Sequence, residues 1–451
     1  MTIVAATSRF APQQTKSQFR AIWPAAPVLV FLVGLVVPWA ITVGSLGITL
    51  SRLVLIVVLL PTSLQVLRGA AGPVNIVDVL VLALCGWICL SLSVVGGWST
   101  GLESGGMITL ETAGSYFLAR CYVRTADDFC AIVRVLFLCM VLILPFALFE
   151  ALTGNNVLLS SFNKVLPTFS MSYDGLRWGL KRVQSVYEHP ILFGVCTGST
   201  LALVYLVLGD GSSAAMRNLG AVLVVATAFL SMSSGAFAVM GFQIGLIGWA
   251  KATARVPHNW LILGGFVVAT FVAIELGSSQ SVPQFYISHF SIDRDTAWLR
   301  LLIWEFGSAS VVAHPLFGIG FSSWVRPKWL SDSIDMFWMA EAIRHGMPGG
   351  LLIMSLPFAT LAMVARARLP DARASIYRVA YLIVITSFFL AGWTVHFWGA
   401  AYLLFLFLLG CGGWLASPKV MAVSVGTLRP SSALLRGGTA VSHFEKRGAN
   451  S

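Results

Sequence analysis

"FCAIVRVLFLCMVLILPFALFEA", Phe129–Ala151, carries only two charged residues, Arg134 and Glu150. A helix crossing the hydrocarbon core of a bilayer needs about 20 consecutive, mostly apolar residues. The apolar residues here are continuous rather than alternating, which excludes a β-barrel strand. Such runs recur along the whole 451-residue chain, which is 57% hydrophobic and 10% charged. Soluble domains carry about 25% charged residues. The expected fold is all-α: a polytopic integral membrane protein, not a soluble domain with an anchor.

Twelve spans are predicted at about 24–44, 47–66, 76–95, 106–121, 129–151, 189–208, 217–233, 234–250, 258–276, 347–365, 375–393 and 396–416. The fourth is interrupted by Glu111 and Arg120, and spans seven and eight form a hairpin through "SMSSG". Residues 1–23 read as an N-terminal cytoplasmic tail rather than a cleaved signal peptide, 24–416 as the membrane domain, and 417–451 as a C-terminal cytoplasmic tail. With both termini inside, most of the 29 cations fall on cytoplasmic segments, as the positive-inside rule requires. The net charge of +11 is explained that way, and no aromatic-interleaved basic stripe calls for nucleic acid. The seven cysteines fall in spans or on the inner side, where disulfides do not persist.

Two outside segments break the charge pattern: about 154–188 and about 277–346. They hold Lys164, Arg177, Lys181, Arg182, Arg294, Arg300, Arg326, Lys328 and Arg344. Long loops escape the rule in part. The functional reading is that these cations hold an anionic ligand at the outer face. In the second segment, "TAWLRLLIWEFGSASVVA" has helical spacing, with Arg300 and Trp304 four apart, and suits a helix lying at the membrane surface. Pro315 ends it, and Gly318 and Gly320 permit a tight turn. A further helix is expected to start at Ser331 or Asp332 and to close at Gly346 and Pro348.

On that helix Asp335, Trp338, Met339 and Ala342 would share a face, with Arg344 near its end. A carboxylate beside apolar surface can act as a general base, Arg binds phosphate oxygens in bidentate fashion, and Trp can stack on a sugar. An interfacial belt also explains the Trp. Arg182 and His189 are seven apart, on one side of a continuous helix; His189 before Pro190 also suits capping or packing. No Walker lysine loop and no zinc-spaced His/Cys cluster occurs. "DRD" at Asp293–Asp295 is too short to carry a metal-site reading. The few ionisable groups in spans (Glu111, Glu150, Glu275) weigh against an ion-coupled transporter.

Four stretches, "YFLARCYVRTADDF", "RVQSVYEHPILFG", "RLLIWEFGSASVVAHPLFGIGF" and "DMFWMAEAIRHGMPGG", resemble, in that order, the O-antigen ligase and Wzy-type polysaccharide polymerase family over roughly residues 110–365. The resemblance implies a membrane glycosyltransferase in the bacterial inner membrane. Such an enzyme takes a sugar chain from undecaprenyl diphosphate and passes it to an acceptor hydroxyl at the periplasmic face. It needs no metal or other cofactor and works among membrane lipids, with a repeat-unit flippase and a chain-length regulator as partners. Arg182 would hold the diphosphate, Arg300 would lie near the donor, and the His314–Gly320 turn would shape the loop. Ligases of the family tend to carry a His-Asn pair eleven residues before the loop-closing glycine; here that position is Asp335. This favours an exopolysaccharide or O-antigen polymerase over a ligase and makes Asp335 the candidate base, with His345 second. The expected catalytic residues are Asp335, Arg182 and Arg300. Substrate contacts are expected from Arg344, Trp338, Trp304, His189, Arg177 and His314. A ligase acting on lipid A core and a polysaccharide transporter or flippase are the alternatives. The enzymatic readings rest on guanidiniums from both outside segments converging on one pocket at headgroup level.

Overall fold

The computed structural model describes residues 23–416 except 45, 173–175, 178 and 291–293. The two expected tails and Asp293 of "DRD" lie outside the described residues, apart from Trp23. Among those described, the chain is mostly helical, with eight helices long and apolar enough to cross a membrane.

The first expected span is shorter than its apolar run. A helix covers only Ala26–Gly34, and the chain then forms an antiparallel hairpin of Ala40–Val43 with Leu46–Thr49. Pro38 cannot continue the helix, and the β-branched Ile41, Thr42 and Val43 behind it favour extended backbone. The helix Leu50–Leu67 starts at Thr49, whose side chain accepts from Arg52 N–H.

The third and fourth expected spans form one helical run, Ile76–Tyr122, that doubles back on itself. The pivot is Gly97, at φ 83°. A Cβ placed on Gly101 would meet Ser93, one on Gly105 would meet Cys89, and Tyr116 Oη donates to Asp78 at 2.7 Å. Each pair is equally spaced about Gly97, the signature of an antiparallel hairpin. Its far end is closed by a buried network. Asp78 accepts from Tyr116, from Arg120 Nε at 3.3 Å and from Asn75 N–H at 2.9 Å. Arg120 also donates to the carbonyls of Ala71 and Pro73.

The helix Ala126–Thr153 opens with a capping box, Thr125 with Asp128, and contains the opening run. Pro190–Leu208, Ala214–Phe229, Ser234–Ala252 and Ala372–Ala391 pack around it or beside it. At the centre stands Gly399–Cys411, buried at every position from Ala400 onward. It is apolar all round because it meets protein on every side. Asn259–Gly277 is the opposite case: apolar all round with no buried residue.

The second long segment contains helices Val282–Phe290 and Arg294–Ala313. The latter ends where expected, ahead of Pro315. The helix expected from Ser331 or Asp332 instead starts at Phe337 and reverses at Gly346, with φ 71°, before running on to Ala365. The "SDSI" residues before it are occupied with local polar contacts, such as Ser333 Oγ donating to Asp335 at 2.6 Å. The "HPLFGIG" turn seats on the reversal: Ile319 N–H donates to Ile343 O, Gly320 N–H to Arg344 O and Met347 N–H to Pro315 O, at 2.8–3.0 Å. All seven cysteines are free.

Candidate functional site

One end of the bundle encloses a cavity of about 330 Å³. It gathers the first turn of Leu50–Leu67 with Arg52, Glu111 of the helical hairpin, Glu188, the Glu341–His345 turn, and the segment His396–Ala400. Both long segments expected outside reach it, the first through Phe169 and Glu188 and the second through Glu341 and Arg344. Only the second brings a guanidinium: the expected convergence of cations from both does not occur, and the other guanidinium, Arg52, comes from the second expected span.

Each charged group is fixed by a different element. Arg52 Nε and Nη2 both lie 2.7 Å from Glu111 Oε1, and Nη1 donates to Gly47 O in the hairpin. A guanidinium has five N–H groups, so two remain after these three contacts. Arg344 sits with its Cζ 5.7 Å from the Phe321 ring centre, a cation–π contact. Its backbone is pinned by the loop turn described above. His345 is buried: its Nδ1 lies 2.9 Å from Ser91 Oγ, its carbonyl accepts from Trp87 Nε1 at 2.8 Å, and its Nε2 faces Glu341 at 3.9 Å.

Glu188 is held by a chain of local contacts. Glu150, at the end of Ala126–Thr153, accepts the backbone N–H groups of Gln184 and Ser185 at 3.0 and 3.1 Å. Asn156 Nδ2 donates to Ser185 O at 2.7 Å, and Gln184 spans to Ser170 and Tyr187. This clamp delivers the Glu188 carboxylate against Gly399, where any Cβ would collide with Oε1. Oε2 is shielded from solvent and has no hydrogen-bond partner. Burial pushes the Glu188 carboxyl up to about 7; backbone N–H groups, including that of Ala400, and the Arg52 charge oppose the shift, and Glu111 adds to it. His396, stacked on Trp398 at 5.7 Å, is pushed down to about 3 by burial and by the Arg344 charge, so it is neutral at physiological pH. The cavity thus sets two guanidiniums against three carboxylates, with burial raising Glu188 to about 7.

Of the expected site residues, only Arg344 and the second-choice base His345 line this cavity. Arg182 and Arg177 have structural work instead: Arg182 Nε donates to Ser231 O at 3.3 Å and Arg177 Nη1 to Met232 O at 2.8 Å. Together they hold the "SMSSG" turn. The stretch from Lys181 to Glu188 is not helical, so Arg182 and His189 do not share a helix face. His189 is the N-cap of Pro190–Gly198, its Nδ1 accepting from Ile191 N–H at 3.2 Å. Arg300 is buried on the inner face of Arg294–Ala313, its charge acting on the Tyr286 phenol. Trp338 is 1% exposed and its Nε1 donates to Phe389 O at 2.9 Å, so its ring is core and cannot stack on a sugar. Trp304 packs on Trp393 at 6.1 Å, and His314 is exposed on the turn. Asp335 precedes the helix instead of sharing its face with Trp338.

The sequence reading missed Arg52, Glu111, Glu188, Glu341 and His396. Arg52 and Glu111 are ionisable groups inside apolar helices, a costly position that by itself signals a pairing. Glu341 and His345 stand at i and i+4. No family model matches this chain, and no curated protein matches it.

Proposed function

We propose that this chain is a membrane glycosyltransferase that moves a glycan from a polyprenyl-diphosphate carrier to an acceptor hydroxyl, building polysaccharide from repeat units. In this reading it spans the bacterial inner membrane twelve times with both termini cytoplasmic, and the cavity opens at the periplasmic headgroup level. The observation that carries the reading is the cavity's composition: Arg52 and Arg344 beside Glu188, whose carboxyl is pushed to about 7. A plain anion trap would hold cations alone. Opposed charges with a carboxylate poised near neutral pH suit proton transfer next to phosphate, because a base works best with its pKa near the working pH.

Chemically, the bond from sugar C1 to the phosphate oxygen breaks and leaves negative charge on the diphosphate. The free N–H groups of Arg52 and Arg344 stabilise that charge. Glu188 takes the proton of the attacking hydroxyl. Glu111 holds Arg52 in place, and neutral His396 adds a hydrogen-bonding group without charge. The four ordered sequence stretches support the same reading, and two of them supply Glu188, Glu341 and Arg344. The assignment of base moves from Asp335 to Glu188, and of the phosphate-holding cations from Arg182 and Arg300 to Arg52 and Arg344.

The test is reconstitution of purified protein in liposomes with a polyprenyl-diphosphate-linked repeat unit. Glycan elongation is expected, falling about 10²–10³-fold in Arg52→Ala and in Arg344→Ala, the loss typical of one charge-stabilising donor. Movement of substrate across the bilayer without bond formation would overturn the proposal in favour of transport. Transfer to lipid A core without elongation would make the enzyme a ligase.

A further inference from the structure

At the end of the bundle opposite the catalytic cavity, the helical run from Pro190 widens into a π turn over Val204–Leu208. Glu188 and this turn are separated by roughly 25 Å of helix at ~1.5 Å per residue. The π turn presents the Tyr205 ring between two cations. Lys251 Nζ lies 4.3 Å and Arg217 Cζ 5.1 Å from its centre, and Lys251 also donates to its hydroxyl. Among the described residues neither cation has a carboxylate partner, whereas Arg52, Arg120, Arg326 and Arg373 all do. Arg217 Nε is shielded from solvent and has no hydrogen-bond partner.

A second cavity, of about 140 Å³, lies beside Arg217, and Lys251 is next to it across Tyr205 without lining it. Arg217 stands on its wall with Gly209 and Ser212, and the rest is apolar: Phe137, Val204, Leu208 and Leu223 among others. Gly209 is required for the arrangement, since a Cβ there would lie 2.6 Å from Arg217 Cγ and displace the side chain. Apolar wall below and unmatched cations above reproduce the two halves of a lipid: acyl chain and anionic headgroup. Basic pockets between membrane helices bind such headgroups.

We infer that the cleft between Ala126–Thr153, Pro190–Leu208 and Ala214–Phe229 is a binding site for an anionic phospholipid, with Arg217 on the phosphate, Lys251 adding positive charge from beside Tyr205, and an acyl chain against Phe137 and Leu223. Tyr205 is the shared platform that holds the two cations at one spacing. The site is independent of the glycosyltransferase reading and stands whether or not that reading holds.

The test is native mass spectrometry and thermal unfolding of the purified, delipidated full chain, titrated with phosphatidylglycerol, with phosphatidylcholine and with inorganic phosphate. Phosphatidylglycerol is expected to be retained and to raise Tm, the other two to do neither. Arg217→Ala/Lys251→Ala is expected to weaken phosphatidylglycerol binding at least tenfold. Because that variant removes the contacts to Tyr205, Met216→Glu is the second arm: it adds a negative charge at an exposed position on the cavity rim, leaves those contacts intact, and is expected to weaken binding too. Equal retention of phosphatidylcholine, an equal effect of inorganic phosphate, or undiminished phosphatidylglycerol binding by both variants would overturn the inference.

Discussion

Glu188 sits one residue before the His189 cap, with its carboxylate wedged beside Gly399. Its raised pKa has a cost that pH reveals. Below about pH 4.5 the carboxyl is protonated in both folded and unfolded chains, and burial adds no penalty. Between about 4.5 and about 7 the folded protein keeps a proton that the unfolded chain has lost, so stability falls as pH rises; above about 7 the penalty is constant. A shift of this size corresponds to roughly 3 kcal/mol. Glu188→Gln is therefore expected to flatten the fall in thermal stability between pH 5 and pH 8, leaving the variant more stable than the parent chain at pH 8. On the proposed function, the same change should lower glycan transfer about 10²–10⁴-fold by removing the base, and the rise in kcat/KM with pH, with midpoint about 7, should vanish. A variant that is stabilised at pH 8 yet retains full activity would show that Glu188 is not the base. Glu188 was visible in the sequence, but nothing in its neighbourhood there reveals Gly399, more than 200 residues away. The opposite error concerned Arg182, a cation with no local reason to be where it is. Its reason is the carbonyl of Ser231, equally distant from local pattern.

At the scale of elements, glycine decides where two helical runs reverse. Gly97 turns Ile76–Tyr122 into a hairpin, and Gly346 folds Phe337–His345 back beside the helix that follows. Both positions need left-handed backbone that other residues rarely adopt. The hairpin is fastened at its open end by Asp78, Tyr116 and Arg120, with Asp78 fully buried. Removing one partner of a buried pair leaves the other uncompensated. Asp78→Ala is expected to destabilise the fold by about 3–5 kcal/mol, read as a lower denaturation midpoint in detergent, with Asp78→Asn losing less. An unchanged midpoint would show that the network does not hold the hairpin. The long spans and the break at Gly346 were legible from apolar length and from a glycine two residues before Pro348. The hairpin of Ala40–Thr49 was not, because hydropathy registers it as more of the same apolar run while Pro38 and three β-branched residues turn it into strand.

Over the whole molecule, the two ends of the bundle differ in kind. One carries the cavity lined by Arg52, Glu188 and Arg344, the other the cations around Tyr205. In a background with native cysteines replaced, Ser322→Cys is expected to react with a membrane-impermeant maleimide on intact spheroplasts. Ser212→Cys should react only in inside-out vesicles. The reverse pattern would invert the proposed orientation, and labelling of both from one side would refute the two-ended arrangement. The sequence by itself determined the class of protein and the rough placement of its helices, because crossing a bilayer is a matter of local apolar length and backbone hydrogen bonding, both properties of contiguous residues. It also determined that two long segments between spans carry charge needing an explanation. Only the tertiary structure decided which charges meet. Arg52, Glu111, Glu188, Arg344 and His396 come from five separate elements, and their convergence depends on side-chain packing and close backbone approach between distant segments, which no local pattern encodes.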